Sequence, residues 1–454
     1  MKKENLETLL NKMCSTGADF AEVYIENTKT KIFTYLDNKL QKIDNKIDKG
    51  MGLRIAKGNE VYYAAVNNND PITIAEDLIN NLNSKVLYKD IKLSDMKIYE
   101  GPDNEFLDDK LIKDYMNNLN HKIRLMDKRI EQVSLNFTEI LKDITIANHT
   151  GLYNKEKRCY ARFYISVTFK DSDLVSTSSY NWGMGTIEDI LNRNIDNNLK
   201  DLVKYGIDKL YAKNCVGKKM PVILGPGFGA VIFHEACGHA MEANATARKR
   251  SVLSDMIGKK IASNKVTIID DGTIPNLWGT TKIDDEGYNT KKNYLIKDGI
   301  LVNYLNDTIN NRLLKMNLTG SSRRESYYYP PVSRMNNTYL EPGNDSISDM
   351  VKSIKYGLYA KEMNGGSVNP ETGDFNFGVA TAYMIRDGKV CECVKGASLI
   401  GNTLDILNKI EMVSSDLEYG AGMCGAASGM VPVTIGEPTI KVSEILVGGI
   451  KNDW

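Results

Sequence analysis

The sequence predicts an α+β fold: an N-terminal region of helix-flanked antiparallel sheet, with signs of duplication, and a mainly β C-terminal half with one histidine-bearing helix set into it. Three observations lead there. A pattern of helix, strands and helix is written twice in the first half; the composition turns Gly-rich and apolar near Lys218; and beyond that point short alternating segments are punctuated by Asp-Gly pairs.

In chain order, Asn5–Met13 has helical spacing, Ala21–Tyr35 and Gly52–Val66 carry the Val, Ile and Tyr of strands, and Pro71 starts a helix running to about Asn83. The pattern then restarts. Asp108–Met126 reads as a helix, Gln132–Asn136 and Tyr160–Lys170 alternate as strands do, and Thr186–Ala212 reads as one long amphipathic helix, so that two helix-capped antiparallel sheets fit. Downstream, Lys265–Asp270, Val379–Arg386, Lys389–Val394 and Lys441–Val447 are strand candidates, with Asp271-Gly272, Asp298-Gly299 and Asp387-Gly388 as hairpin signals. This divides the chain into residues 1–217, with a sub-boundary near 100, and 218–454. A length of 454 residues suits two or three domains.

Hydrophobic residues at 42% and charged residues at 26% describe a globular chain with material for large cores. Lys+Arg and Asp+Glu both number 58, so there is no net field to attract nucleic acid or an anionic membrane. No apolar run approaches the ~20 residues of a membrane helix. The opening stretch breaks its apolar positions with Glu, Asn and Lys and has no signal-peptide core, so the expected location is cytoplasmic. Seven scattered cysteines then read as reduced thiols, available as ligands or nucleophiles.

The chain has four histidines, and two of them bracket the six-residue segment His234-Glu235-Ala236-Cys237-Gly238-His239. With histidine so scarce, this pairing points to a metal more than to packing. The spacing is unusual: the familiar zinc helix separates its imidazoles by four residues, about 40° around the axis, whereas five residues of ideal α-helix set them about 140° apart. Both rings reach one ion only if the helix is distorted, so irregular, π-type hydrogen bonding is expected between His234 and His239, with Gly238 near the bend. A catalytic zinc needs a third protein ligand and leaves its fourth position to water. Cys237, Glu242 and a distant cysteine are the candidates; Cys237 would crowd the imidazoles, and Glu242 suits a supporting role beside His239. Cys424 lies in a Gly-rich stretch that can pass close to another element, while Cys391 and Cys393 read as core residues of a strand.

His-Glu-Ala-Cys-Gly-His-Ala-Met-Glu-Ala resembles the signature of the TldD/PmbA family in its catalytic, TldD-like branch. Asp270–Pro275, Ile283–Gly287, Gly320–Tyr327, Arg334–Tyr339 and the Cys424 loop followed by Val431-Pro432-Val433 look like the same family, densely from about Pro221 to Gly449. The resemblance implies a metal on His234, His239 and Cys424, with Glu235 as catalytic base in a metallopeptidase of the HExxxH type. It further implies unfolded or short polypeptides as substrate, and a homodimer or a heterodimer with a PmbA-like sister that lacks the His-Glu segment. One departure is Asn244, where an acidic residue commonly stands. A thiolate ligand favours zinc over magnesium or calcium, with iron the alternative. Two other functions remain to be weighed: a non-catalytic protein-binding regulator, of the gyrase-modulator kind, and a metal-dependent amidohydrolase acting on small molecules. Retention of Glu235 favours the peptidase over the regulator, since a structural metal site has no need of a base.

Overall fold

The computed structural model describes residues 1–15, 17–67, 69–80, 90–101 and 105–449. In the N-terminal part the elements are α1 (Lys3–Cys14), β1 (Phe20–Leu36), β2 (Lys39–Lys57), β3 (Glu60–Val66), α2 (Pro71–Asn80), β4 (Lys97–Tyr99), α3 (Asp109–Arg124), β5 (Ile130–Asn148), β6 (Tyr153–Asp171), β7 (Leu174–Met184), α4 (Ile187–Asn192) and α5 (Asp196–Leu210). The fold is α+β. The two repeats, however, build one sheet instead of two. Strand β1 pairs antiparallel with β5 from Glu22↔Asn148 to Leu36↔Ser134, giving the order β3-β2-β1-β5-β6-β4, with β7 also against β6.

Burial explains each element. In α1, Leu6, Leu9, Leu10 and Met13 form one stripe that packs on Ala75, Leu78 and Ile79 of α2 and on Ala21 and Val23 of β1. Helices α3 and α5 cover Phe137, Phe163 and Trp182 in a second core. The stretch Gly52–Val66 is a hairpin, with Lys57 paired to Glu60 across Gly58-Asn59. The long helix expected over Thr186–Ala212 is two helices. Arg193 takes an extended conformation, and Asn194 restarts the chain by accepting the Asp196 N–H. Residues 81–83 of the second expected helix lie outside the described residues.

The C-terminal part holds two large sheets around one large core, and a two-stranded ribbon of Ser322–Arg323 with Val332–Ser333. In the first, the spatial order is Ile300–Leu301, Lys292–Lys297, Ile268–Asp271, Asn337–Leu340, Gly429–Glu437, Glu418–Ala426. In the second, Lys218–Leu224, Tyr356–Val368, Asp374–Arg386, Ser398–Asn402 and Ile440–Gly448 pair in a closed ring. Asp298-Gly299 and Asp387-Gly388 close hairpins, with positive φ at both residues of each pair. Asp271-Gly272 does not. Asp271 instead ends its strand by accepting the Thr273 N–H, and the paired strand arrives at Lys292. Among the described residues no helix is long and apolar enough to cross a membrane.

The two parts meet through buried charge. Because strand side chains alternate, Glu22, Tyr24 and Glu26 of β1 face away from α1 toward the C-terminal loops. Arg54 Nη2 lies 2.7 Å from both Glu22 and Glu286, Arg324 donates to Glu22 at 2.5 Å, and Arg158 bridges Glu156 and Asp285. Thus Ile283–Gly287 and Gly320–Tyr327 serve as the surface onto which the N-terminal sheet docks. Truncating one member of a fully buried pair strands its partner, so Arg54→Ala is expected to cost about 3–5 kcal/mol, read as a lower denaturant midpoint.

Candidate metal centre

Strand Lys218–Leu224 runs through Gly225-Pro226 into a helical segment that changes its winding along its length: 3₁₀ over Gly227–Ala230, α over Val231–Phe233, π over His234–Gly238 and 3₁₀ over His239–Met241. Val231, Ile232, Phe233, Ala236, Cys237, Ala240 and Met241 are buried in the core between the two C-terminal sheets, so the segment is apolar on nearly every side and its histidines are carried into the interior. The His239 N–H bonds to the His234 carbonyl, five residues back, which is the irregular winding that the His-to-His spacing requires. The two rings stand 5.2 Å apart at 81°. Carbonyls along this irregular stretch find side-chain donors: Thr403 Oγ1 to Ala236 O at 2.7 Å and Ser251 Oγ to Ala240 O at 2.5 Å.

Gly238 has ordinary helical angles, φ −56° and ψ −55°, so conformational freedom does not account for it. Space does. A Cβ there would lie 1.9 Å from the Sδ of Met335, which is itself fully buried. Gly238→Ala is therefore expected to destabilise by about 1–3 kcal/mol through overpacking. The same change combined with Met335→Ala should relieve the clash, measured as thermal unfolding of each single and double variant.

Cys424 comes from the edge strand Glu418–Ala426. Its Sγ lies 3.0 Å from His234 Nε2 and 3.2 Å from His239 Nε2, and the three donor atoms fall within 4.8 Å of one another. Burial pushes the Cys424 thiol up, but the two facing imidazoles outweigh it and bring the group down to about 3. Burial pulls the His239 imidazolium down, while Glu242 and Cys424 raise it well above the usual histidine range. The site thus gathers a thiolate and two imidazoles with buried Glu242 behind them, a donor set suited to a borderline-soft divalent ion. Tetrahedral bonds of about 2.3 Å to sulfur and about 2.0–2.1 Å to nitrogen set such donors roughly 3.5 Å apart. The two sulfur–nitrogen separations are shorter by a few tenths of an ångström, a gap that small side-chain rotations open, and the donor set fits a zinc-sized ion.

The neighbours divide by direction. Glu242 Oε2 bonds His239 Nδ1 at 3.0 Å, on the ring edge opposite Cys424, so it orients the imidazole instead of competing for the ion. Glu235 Oε2 lies 3.7 Å from His239 Nε2, on the same side as the thiol, and its side chain is 25% exposed against 3% for Glu242. Cys237 is buried in the apolar core with its thiol pushed up by burial. Cys391 and Cys393 do not sit in the core as expected. Their strand, Lys389–Lys395, is largely solvent-facing, with Cys391 exposed and Cys393 half-buried. Asn244 donates its backbone N–H to Ser333 Oγ, and its side-chain oxygen is buried with no partner among the described residues.

The cationic and phenolic groups near Gly320–Tyr329 are largely committed elsewhere. Arg323 donates to Met335 O at 2.7 Å, Arg324 to Glu22, and Tyr327 Oη to Asp48 at 2.9 Å. Sequence reasoning missed two supporting residues, Arg334 and Met335. Their only signal was membership in the family-like stretch Arg334–Tyr339.

Comparison with known proteins follows the same lines. Models of the PmbA/TldA metallopeptidase match along the chain: domain 1 at residues 21–81, the central domain at 100–205 and the C-terminal domain at 217–449. A metalloprotease TldD homolog from Buchnera aphidicola subsp. Acyrthosiphon pisum is 33% identical over 461 residues, covering 97% of this chain and 95% of that one. A metalloprotease TldD homolog from Haemophilus influenzae is 32% identical over 464 residues, covering 98% and 96%. Among solved structures, a putative modulator of a DNA gyrase from Thermotoga maritima shares the fold at TM-score 0.78 and 18% identity, covering 98% of this chain and 99% of that one.

Proposed function

The chain belongs to the PmbA/TldD family of metallopeptidases, and on that premise we propose that it hydrolyses peptide bonds in unfolded or short polypeptides at a divalent metal held by His234, His239 and Cys424. One observation carries the reading. Three donors, the last of them 185 residues beyond His239, converge beside the partly exposed carboxylate of Glu235.

A divalent ion bound there supplies Lewis acidity, polarising a scissile carbonyl and making water acidic enough to ionise near neutral pH. Glu235 is the general base: it is partly exposed, lies beside the donor cluster, and can hold the proton taken from water until the departing amine receives it. Glu242 holds the His239 ring so that Nε2 faces the thiol. Zinc is the metal best suited to one thiolate and two imidazoles, and iron is the alternative. A cavity of about 600 Å³ opens beside Gly227 and Gly229 and is bordered by Tyr180, Tyr205, Lys361 and Tyr419; Glu235 and the three donor residues do not line it, so it suits a part of an extended chain away from the bond to be cut. An extended substrate strand would be read through its backbone more than its side chains. Assembly as a homodimer, or as a heterodimer with a PmbA-like sister subunit, completes the reading, as does a cytoplasmic location; nucleic acid and membrane have no part in it.

The test is incubation of the purified protein with an intrinsically unstructured polypeptide and, separately, with small acylated amides. Chelator-sensitive cleavage of the polypeptide supports the peptidase. Turnover confined to the small amides would indicate an amidohydrolase, and binding of polypeptide without cleavage a regulator.

A further inference from the structure

The helix that carries His234 and His239 and the hairpin that carries Cys424 belong to different elements, and nothing in either alone fixes the distance between them. The short segment Ser333-Arg334-Met335 touches both. Ser333 Oγ accepts the backbone N–H of Asn244, just beyond the helical segment, at 3.2 Å. Met335 fills the space left by the missing side chain of Gly238. Arg334 reaches the hairpin: Nη2 donates to Cys424 O at 2.5 Å, and Nη1 donates to Ser428 Oγ and Gly429 O, each at 3.0 Å. On its remaining edge, Arg334 Nε faces Glu242 Oε1 at 3.7 Å, and Glu242 holds His239.

The Arg334 side chain is 0% exposed. A guanidinium with no access to water must spend its donors on the protein; here Nη1 and Nη2 go to the carbonyl of one proposed ligand and the turn behind it, while Nε faces, beyond hydrogen-bond distance, the carboxylate that orients another. Arg334 Nε and Glu242 Oε1 have no hydrogen-bond partner among the described residues, and the two face each other as an ion pair at 3.7 Å. The planar fork suits three divergent acceptors; a lysine ammonium in the same place supplies charge at one point only.

We infer that Arg334 is a positioning residue that locks the Cys424 hairpin to the His239–Glu242 edge of the helix and thereby sets how tightly the site retains its metal. The inference rests on the proposed His234, His239 and Cys424 ligation. It acts through the ligands and involves no contact with substrate.

The experiment measures zinc affinity of the full-length protein by competition with a chromophoric chelator, together with the thiolate-to-metal absorption band of the cobalt-loaded form. Arg334→Lys keeps the charge and most of the volume and should fold. It is expected to weaken zinc retention by about 10–100-fold and to shift or broaden the cobalt band. Glu242→Gln should do the same, and the double variant should lose little more than the worse single, because both act through one linkage. Arg54→Lys, in the distant docking network, controls for general destabilisation and should leave affinity and spectrum unchanged. A lowered melting temperature for Arg334→Lys with affinity within twofold of wild type would overturn the inference, as would losses that multiply in the double variant. Absence of zinc binding in the wild-type protein would instead overturn the ligation on which it rests.

Discussion

Glu235→Gln is expected to lower turnover of an unstructured polypeptide by about 10²–10⁴-fold, the usual contribution of a positioned general acid–base, while metal content stays at the wild-type level. The amide keeps the shape of the carboxylate but cannot accept a proton, so the loss isolates proton transfer from packing. Metal retention is expected because Glu235 is not among the three converging donors: its Oε2 lies 3.7 Å from His239 Nε2, whereas His234 Nε2 and Cys424 Sγ are 3.0 Å apart. Turnover would be followed by the rate of new amino termini and metal by elemental analysis of the same preparation. Unchanged cleavage would remove Glu235 from the mechanism, and loss of metal would make it a ligand.

Cys424→Ala is expected to abolish both metal retention and cleavage. Two imidazoles alone leave a zinc-sized ion short of the three protein donors a catalytic site uses, so affinity should fall by more than the ~10–100-fold that supporting residues command. The contrast lies in Cys237→Ala. That thiol is equally buried, but it packs among Val231, Ile232 and Phe233 in the core, so its loss should lower stability and leave metal content unchanged. Equilibrium dialysis against zinc separates the two cysteines directly. The reverse result, with Cys237 holding the metal, would require the helix to rewind, because His234 and His239 already face Cys424 while Cys237 lies in the apolar core.

Some of this was legible in the sequence because it depends on spacing along the chain. The five-residue interval between His234 and His239 is incompatible with an α-helix that presents both rings to one point, and the winding changes at those residues. The apolar stripe of α1 and the Asp-Gly turns at 298–299 and 387–388 are equally local. Features that depend on distant partners were not legible. Lys39–Met51 is mostly polar on both faces and carries no strand signal of its own, yet it is strand because β1 pairs with it along its length, apart from a bulge at Gln41. The two N-terminal repeats share one sheet through β1 and β5, a pairing no local pattern encodes. The break at Arg193–Ile195 lay hidden within a continuous helical periodicity, and the Asn194 side chain that restarts the helix is a weak cue. Gly238 was noticed for the right region and the wrong reason: its neighbour Met335 lies 97 positions away in sequence and excludes any Cβ. Arg334 was invisible as a support because its acceptors, Cys424 O and Gly429 O, are backbone atoms about 90 residues downstream.

The most direct test of the central claim is metal reconstitution. The protein is stripped by a chelator and returned to activity with measured amounts of zinc, and cleavage of an unfolded polypeptide is plotted against moles of zinc bound per chain. A single centre formed by His234, His239 and Cys424 predicts no cleavage in the stripped protein, a linear rise, and a plateau at about one zinc per chain. Full cleavage by the metal-free chain, or an inert protein carrying one equivalent of zinc, would contradict it.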